Sequence, residues 1–131
     1  MPHVVIEEAS DLAGACRALA PFTTRNGDQI LKLLDVYLNQ SGHTALLDCV
    51  VIDKGAARAF FIQLAGKPGQ ITVRLLPATD PEKTDAVKSL MALVALKLRE
   101  IIPGSRFGKT NLQAFLSPPE VSEAGVRTVS E

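Results

Sequence analysis

The chain has 131 residues, 47% of them hydrophobic, and its 14 basic residues balance its 14 acidic residues. This length suits a single domain with one core, and a net charge of zero gives no field that would attract nucleic acid or an anionic membrane surface. The first residues form no basic signal region, and no run of about 18 uncharged apolar residues occurs. We therefore expect a cytoplasmic protein that binds neither nucleic acid nor membrane.

The two cysteines, Cys16 and Cys49, lie among aliphatic neighbours in the sequence. Neither is close to a second cysteine, and His3 and His43 show no spacing that is typical of metal ligands. The pattern predicts buried, reduced thiols and no metal site.

The first predicted elements are a strand and a short helix. Val4, Val5 and Ile6 are β-branched and predict a strand over residues 3–7. Ser10 is a candidate N-cap for a helix that ends before Pro21. Its apolar residues, at positions i, i+4 and i+7, are Leu12, Cys16 and Leu19.

A longer helix is predicted after Asn26. Asn26 is a common capping residue, Gln29 follows three positions later, and Gly42 ends the pattern. Apolar residues recur between them with helical spacing. They are Ile30, Leu33, Leu34, Tyr37 and Leu38.

The period then changes from 3.6 to about 2 in three runs, residues 45–52, 58–64 and 70–76. Turn residues at 53–55 and 66–69 separate these runs, so the pattern predicts an antiparallel meander. In the third strand Arg74 projects from the face opposite to its apolar residues.

A second long helix is predicted over residues 81–102, with Asp80 as its cap and Pro81 in its first position. This helix is apolar on both sides. A single layer of helices on the sheet would leave part of this apolar surface exposed to water. We therefore expect a homo-oligomer. Residues 1–116 are predicted to form the domain, and residues 117–131, poor in apolar residues, a C-terminal tail or arm.

Pro2 is the residue best suited to act as a catalytic base. Removal of Met1 would leave Pro2 with a secondary amine, whose pKa an apolar pocket or nearby cations would lower toward the range that suits a general base. If Met1 stays, the nitrogen of Pro2 is a tertiary amide and cannot act as a base.

Two short segments carry a resemblance to a known family. The start, Met1-Pro2-His3-Val4-Val5-Ile6-Glu7, and the segment Lys109-Thr110-Asn111-Leu112-Gln113-Ala114-Phe115-Leu116 resemble the 5-carboxymethyl-2-hydroxymuconate isomerases of the tautomerase superfamily. The resemblance implies an α/β (α+β) fold of two β-α-β units, with a mixed sheet and helices packed on one face. It also implies a homotrimer, no cofactor, and Pro2 as the catalytic base.

Basic residues would hold the carboxylate of the substrate. Family members carry an arginine on the strand after the first long helix, but residues 45–52 contain none. A second family arginine has Lys67 or, in another register, Lys83 as its counterpart. The substrate-binding candidates are Arg58, Arg74 and Lys109 as carboxylate clamps, Asn111 as a hydrogen-bond donor and Phe115 as part of an apolar wall. Arginines on strands are more often simply solvated.

The sequence thus gives two hypotheses. In the first, the protein is a tautomerase in which Pro2 moves a proton within an unsaturated keto or enol acid. In the second, it is a non-catalytic oligomeric domain of the same fold that binds a small acid or a partner protein. The missing strand arginine favours the second hypothesis.

Overall fold

A computed structural model describes residues 2–79 and 81–116, which form seven strands and three helices. The predicted tail and the Asp80 cap therefore lie outside the described residues. In chain order the elements are β1 (His3–Glu7), α1 (Leu12–Ala18), β2 (Phe22–Asn26), β3 (Gln29–Leu38), β4 (Thr44–Asp53), β5 (Ala56–Lys67), β6 (Gln70–Leu75), α2 (Asp85–Ile101), β7 (Arg106–Thr110) and α3 (Gln113–Leu116).

The strands form one sheet in the order β2-β3-β4-β5-β6-β1-β7, and every neighbouring pair is antiparallel. The sheet curves into a half-barrel. Its inner face is built from alternate residues along each strand, such as Phe60, Ile62 and Leu64 on β5, which are all buried. The outer face carries the residues between them.

The fold class expected from the sequence is wrong. The structure contains no parallel strand pair among the described residues, so two β-α-β units in a mixed sheet are not formed. Strand β1 instead pairs antiparallel with β6 on one side and with β7 on the other. Four hairpin connections from β2 to β6 replace the helical crossover that a β-α-β unit needs.

The predicted helix after Asn26 is strand β3. Phe22–Asn26 and Gln29–Leu38 pair as a hairpin with only Gly27 and Asp28 between them. Gly27 has a φ of +62°, and a glycine at the first position of a two-residue connection is typical of a hairpin turn. A register shift between Leu33 and Asp35 is a β-bulge that interrupts the alternation of inward and outward residues in β3. Because of this bulge, the apolar residues of the strand occur at helical spacing in the sequence.

The meander predicted over residues 45–76 is confirmed by β4, β5 and β6. The turn between β4 and β5 consists of Lys54, with a φ of +52°, and Gly55, with a φ of +79°. Two consecutive positive φ values match the right-handed twist of the flanking strands. The strand predicted at the N-terminus and the helix ending before Pro21 are also confirmed, although the helix is capped by Asp11 and not by Ser10.

Helix α2 fills the curve of the sheet. It begins after the cap residue Thr84, later than predicted, and ends at Ile101. Eight of its residues are buried, and Leu93 and Leu96 pack against the same core from its other side. The sheet and α3 thus cover much of a helix that is apolar on both sides. None of the helices within the described residues combines the length and hydropathy needed to cross a membrane.

Two matched substitutions test the strand assignment of β3. Leu31 is 2% exposed and faces the core, whereas Leu34 is 47% exposed; the helical interpretation had placed Leu34, but not Leu31, on the apolar stripe. We expect Leu31→Ala to lower the free energy of unfolding by about 2–5 kcal/mol and Leu34→Ala to change it by about 0.5 kcal/mol or less. Urea denaturation measures both, and the reverse order of costs would contradict the strand.

Candidate functional site

Three chain segments meet at one end of the sheet and line an open cavity of about 290 Å³. Pro2 precedes β1 and is buried. Lys83 and Lys88 lie on either side of the start of α2, and Asn111 and Leu112 follow β7. These five residues line the cavity. It therefore combines two ammonium groups and an amide with an apolar floor.

Hydrogen bonds tie the start of β1 to the end of β7 beside this cavity. The backbone N–H of His3 donates to Oδ1 of Asn111 at 2.9 Å. The Thr110 hydroxyl donates to the carbonyl oxygen of His3 at 2.7 Å and accepts from the backbone N–H of Leu112 at 3.0 Å. Leu112 is 2% exposed and belongs to the core. Pro2 and Asn111 are thus held in adjacent walls of the cavity.

The third wall is the first turn of α2. Thr84 caps this 17-residue helix, and its side-chain oxygen accepts from the backbone N–H of Val87 at 3.3 Å. Lys88 is half-buried, and it has no ion-pair partner among the described residues. The positive end of the helix dipole adds to the lysine charges here. The electrostatic character of the cavity therefore favours an anion.

Acidic residues collect in a separate cavity of about 450 Å³ near the same end of α2. Its lining residues are Asn26, Asp28, Gln29, Asp53, Lys54 and Asp85. Asp85, the acid in the first turn of α2, thus lines this second cavity and not the one beside Pro2. Over residues 2–79 and 81–116, no group of three or more His, Cys, Asp or Glu side chains is arranged to hold a metal ion.

Two of the residues expected at the site, Pro2 and Asn111, lie together. Arg58 and Arg74 do not line the cavity. Arg58 forms an exposed ion pair with Glu82, with Nη2 and Oε1 3.0 Å apart. Arg74 lies on the outer face of the sheet, where its Nε donates to Oε1 of Gln63 at 2.8 Å.

The remaining two candidates are also elsewhere. Lys109 is exposed on β7. Phe115 packs against the core and lines a different cavity, of about 240 Å³, beside Leu93 and Leu96 of α2. The structure thus separates the predicted clamps and the predicted aromatic wall from Pro2.

Sequence reasoning missed Lys88 and considered Lys83 only as the counterpart of a family arginine. Lys83 comes directly before the helix cap Thr84, and Lys88 follows it by four residues. This spacing indicates two cations near one helix terminus. No local pattern indicates that this terminus lies against Pro2, because the contact depends on how the sheet orders its strands.

The cysteines contribute no reactive group. Both are free and buried, as the sequence predicted. Burial raises the pKa of the Cys49 thiol to about 12, and burial also raises the pKa of Cys16. A thiol that keeps its proton is a weak nucleophile.

Comparison of the chain with protein-family models, with curated proteins and with solved structures found no match. The comparisons therefore identify no family. The resemblance to tautomerases stays a prediction that depends on two short segments of sequence.

We expect Cys49 to resist alkylation by iodoacetamide at pH 8 until the protein unfolds, as peptide mass spectrometry would show. Its pKa is raised in the folded protein from an ordinary value of 9.0 to about 12, so the folded state holds the proton to higher pH than the unfolded chain does. This contribution to stability is complete below pH 9 and is lost as the pH rises toward 12. Rapid labelling of native protein would contradict the prediction.

Proposed function

We propose that the cavity lined by Pro2, Lys83, Lys88, Asn111 and Leu112 binds a small organic carboxylate. The observation that carries this proposal is the presence of two lysines in one cavity with an amide and an apolar floor. Ammonium groups form charge-assisted hydrogen bonds with carboxylates. The apolar residues provide contact for the carbon skeleton of the acid.

The size of the cavity limits the ligand. A volume of about 290 Å³ lies at the lower end of the range of small-molecule sites. An acid of a few carbon atoms therefore suits the cavity better than a nucleotide.

Tautomerisation is the second candidate function, and the position of Pro2 in this same cavity favours it. An amine at Pro2, formed by removal of Met1, would take a proton from an enol or from a carbon next to a carbonyl. It would return that proton elsewhere on the conjugated system, so no cofactor is needed. Lys88 would hold the carboxylate and oppose the charge that develops on the enolate oxygen.

Substitution of Lys88 tests the binding proposal. We expect Lys88→Gln to weaken binding of pyruvate about tenfold, because one charge-assisted hydrogen bond is lost. Lys97→Gln is the matched control: Lys97 is on the same helix, but its Nζ lies 4.6 Å from the ring centroid of Phe22. Titration followed by NMR chemical shifts measures both affinities.

Pyruvamide, which lacks the carboxylate, supplies the second comparison. We expect it to bind the unchanged protein more weakly than pyruvate does. Equal affinity for pyruvate and pyruvamide, or equal effects of the two lysine substitutions, would contradict carboxylate binding in this cavity.

A separate experiment tests catalysis. The mass of the intact protein shows whether Met1 is removed, and we expect the processed protein to tautomerise the enol of pyruvate. Pro2→Ala should lower the rate, with some activity retained because alanine leaves a primary amine. Retention of Met1, or an unchanged rate in Pro2→Ala, would contradict proton transfer by Pro2 and leave the binding proposal standing.

A further inference from the structure

A second polar cavity, of about 190 Å³, lies at the opposite end of β1 from Pro2. Glu7, the last residue of β1, pairs with Gln70 of β6, and Gln70 lines this cavity. Three connections meet here: the residues between β1 and α1, the turn between β3 and β4, and the turn between β5 and β6. We call the space that they line the turn cavity.

Backbone hydrogen bonds hold these three connections together. The N–H of Ala9, between β1 and α1, donates to the carbonyl oxygen of Gly69 at 3.2 Å. The N–H of Gly66 donates to the carbonyl oxygen of His43 at 2.7 Å. Within the turn between β3 and β4, Oδ1 of Asn39 accepts two backbone N–H groups, at 3.0 and 3.1 Å. The walls of the turn cavity are therefore fixed before any ligand binds.

Close packing at Gly66 brings two of these walls near each other. A Cβ atom at this position would lie 3.3 Å from Cβ of Leu12 and 3.5 Å from the carbonyl oxygen of His43. The turn that follows, Pro68-Gly69, has a φ of +81° at its glycine, a combination typical of a type II turn. The backbone of Lys67 is thus set at the rim of the cavity by its neighbours on both sides.

Four polar side chains line the turn cavity, and all of them can donate hydrogen bonds: Ser10, His43, Lys67 and Gln70. A hydroxyl, an imidazole, an ammonium group and an amide together offer about seven N–H or O–H bonds. None of these four side chains forms an ion pair or a hydrogen bond with another described residue. Their donors are therefore available to a ligand.

The charge of the turn cavity is positive. No acidic residue is among the described residues that line it. Asp11, which follows Ser10, accepts a backbone hydrogen bond as the cap of α1. Lys67 supplies the positive charge, and Leu12 and Ile71, both buried, form an apolar floor. The cavity therefore favours an oxyanion that accepts hydrogen bonds from several directions.

We propose that the turn cavity binds a phosphate group, either as inorganic phosphate or as the phosphate of a small monoester. A phosphate group has three strong acceptor oxygens and a charge of about −1.5 to −2 at neutral pH, so it can accept from all three connections at once. Lys67 donates a charge-assisted hydrogen bond, and Ser10, His43 and Gln70 donate to the remaining oxygens. A carboxylate has only two acceptor oxygens and leaves more of these donors unused.

The volume of the turn cavity agrees with this ligand. About 190 Å³ is below the usual range of small-molecule sites, which is about 300–1,000 Å³. A phosphate group therefore occupies the cavity, and the rest of an ester extends into solvent. The rim leaves room for such an ester, because Ser10, His43 and Lys67 are exposed.

Titration of the unchanged, 15N-labelled protein tests the proposal. The probes are inorganic phosphate and methyl phosphate at fixed pH, with sodium chloride keeping the ionic strength constant. Both probes should shift the backbone amide signals of residues 42–43 and 66–70, and acetate should shift them less. Binding of one probe alone would support the proposal and identify free phosphate or an ester as the ligand.

Three results of this titration would overturn the proposal. They are no shift with either phosphate probe, equal shifts with acetate, and shifts centred on Lys88 and residues 111–112, which would place the phosphate in the cavity beside Pro2. The titration uses the protein without substitutions, so its result does not depend on the folding of a variant.

Substitution of Lys67 measures the contribution of its charge. We expect Lys67→Gln to weaken phosphate binding about tenfold, because a hydrogen bond to a charged group is lost. Lys54→Gln is the matched control and should leave the affinity unchanged. Lys54 is also an exposed lysine at a hairpin turn, but it lies between β4 and β5 and lines the acidic cavity. Equal effects of the two substitutions would overturn the assignment of phosphate to the turn cavity.

Discussion

Burial of α2 on two sides is the constraint on which the rest of the structure depends. A flat sheet would cover one side of this helix and leave Leu93 and Leu96 in water. The half-barrel lets β1, β3, β4 and β6 all contact the helix, while α3 closes part of the opposite side. Because the curved sheet bends around the helix, it also brings the start of α2 against Pro2 and the end of β7. The cavity at Pro2 is thus a product of the same packing that forms the core.

Much of the strand structure was predictable from the sequence because local signals agree there. Apolar and polar residues alternate in β4, β5 and β6, and turn residues lie between these strands. These local patterns were enough to predict the three strands. β3 was not predicted, because its bulge at Leu33–Asp35 shifts the alternation of apolar residues. The Gly-Asp pair at residues 27–28 was the local signal that could have corrected the assignment. The two β-α-β units were implied by the resemblance, and the assignment of β3 as a helix agreed with them, so nothing in the local pattern opposed the wrong fold class.

The candidate site was predictable only in part. Pro2 is notable for its chemistry, and Asn111 was selected from a short resemblance; the structure does bring these two together. Arg58 and Arg74 were chosen as cations on predicted strands, and Lys109 and Phe115 belong to the segment that carries the resemblance. The curvature of the sheet distributes all four to other surfaces. Lys88 contributes to the cavity because β1 lies between β6 and β7. This strand order cannot be predicted from local sequence patterns.

The position of β1 in the sheet also determines the stage of folding at which the sheet can be completed. β1 begins the chain, yet it pairs with residues 70–74 of β6 and with residues 106–110 of β7. Closing such long loops costs more entropy than closing hairpins, and contacts of high sequence separation slow folding. The hairpins of β2 to β5 precede both partners of β1 in the chain, with β6 directly after β5 and β7 after α2. During synthesis the N-terminal strand therefore waits for most of the chain, and the cavity beside Pro2 is among the last features to form.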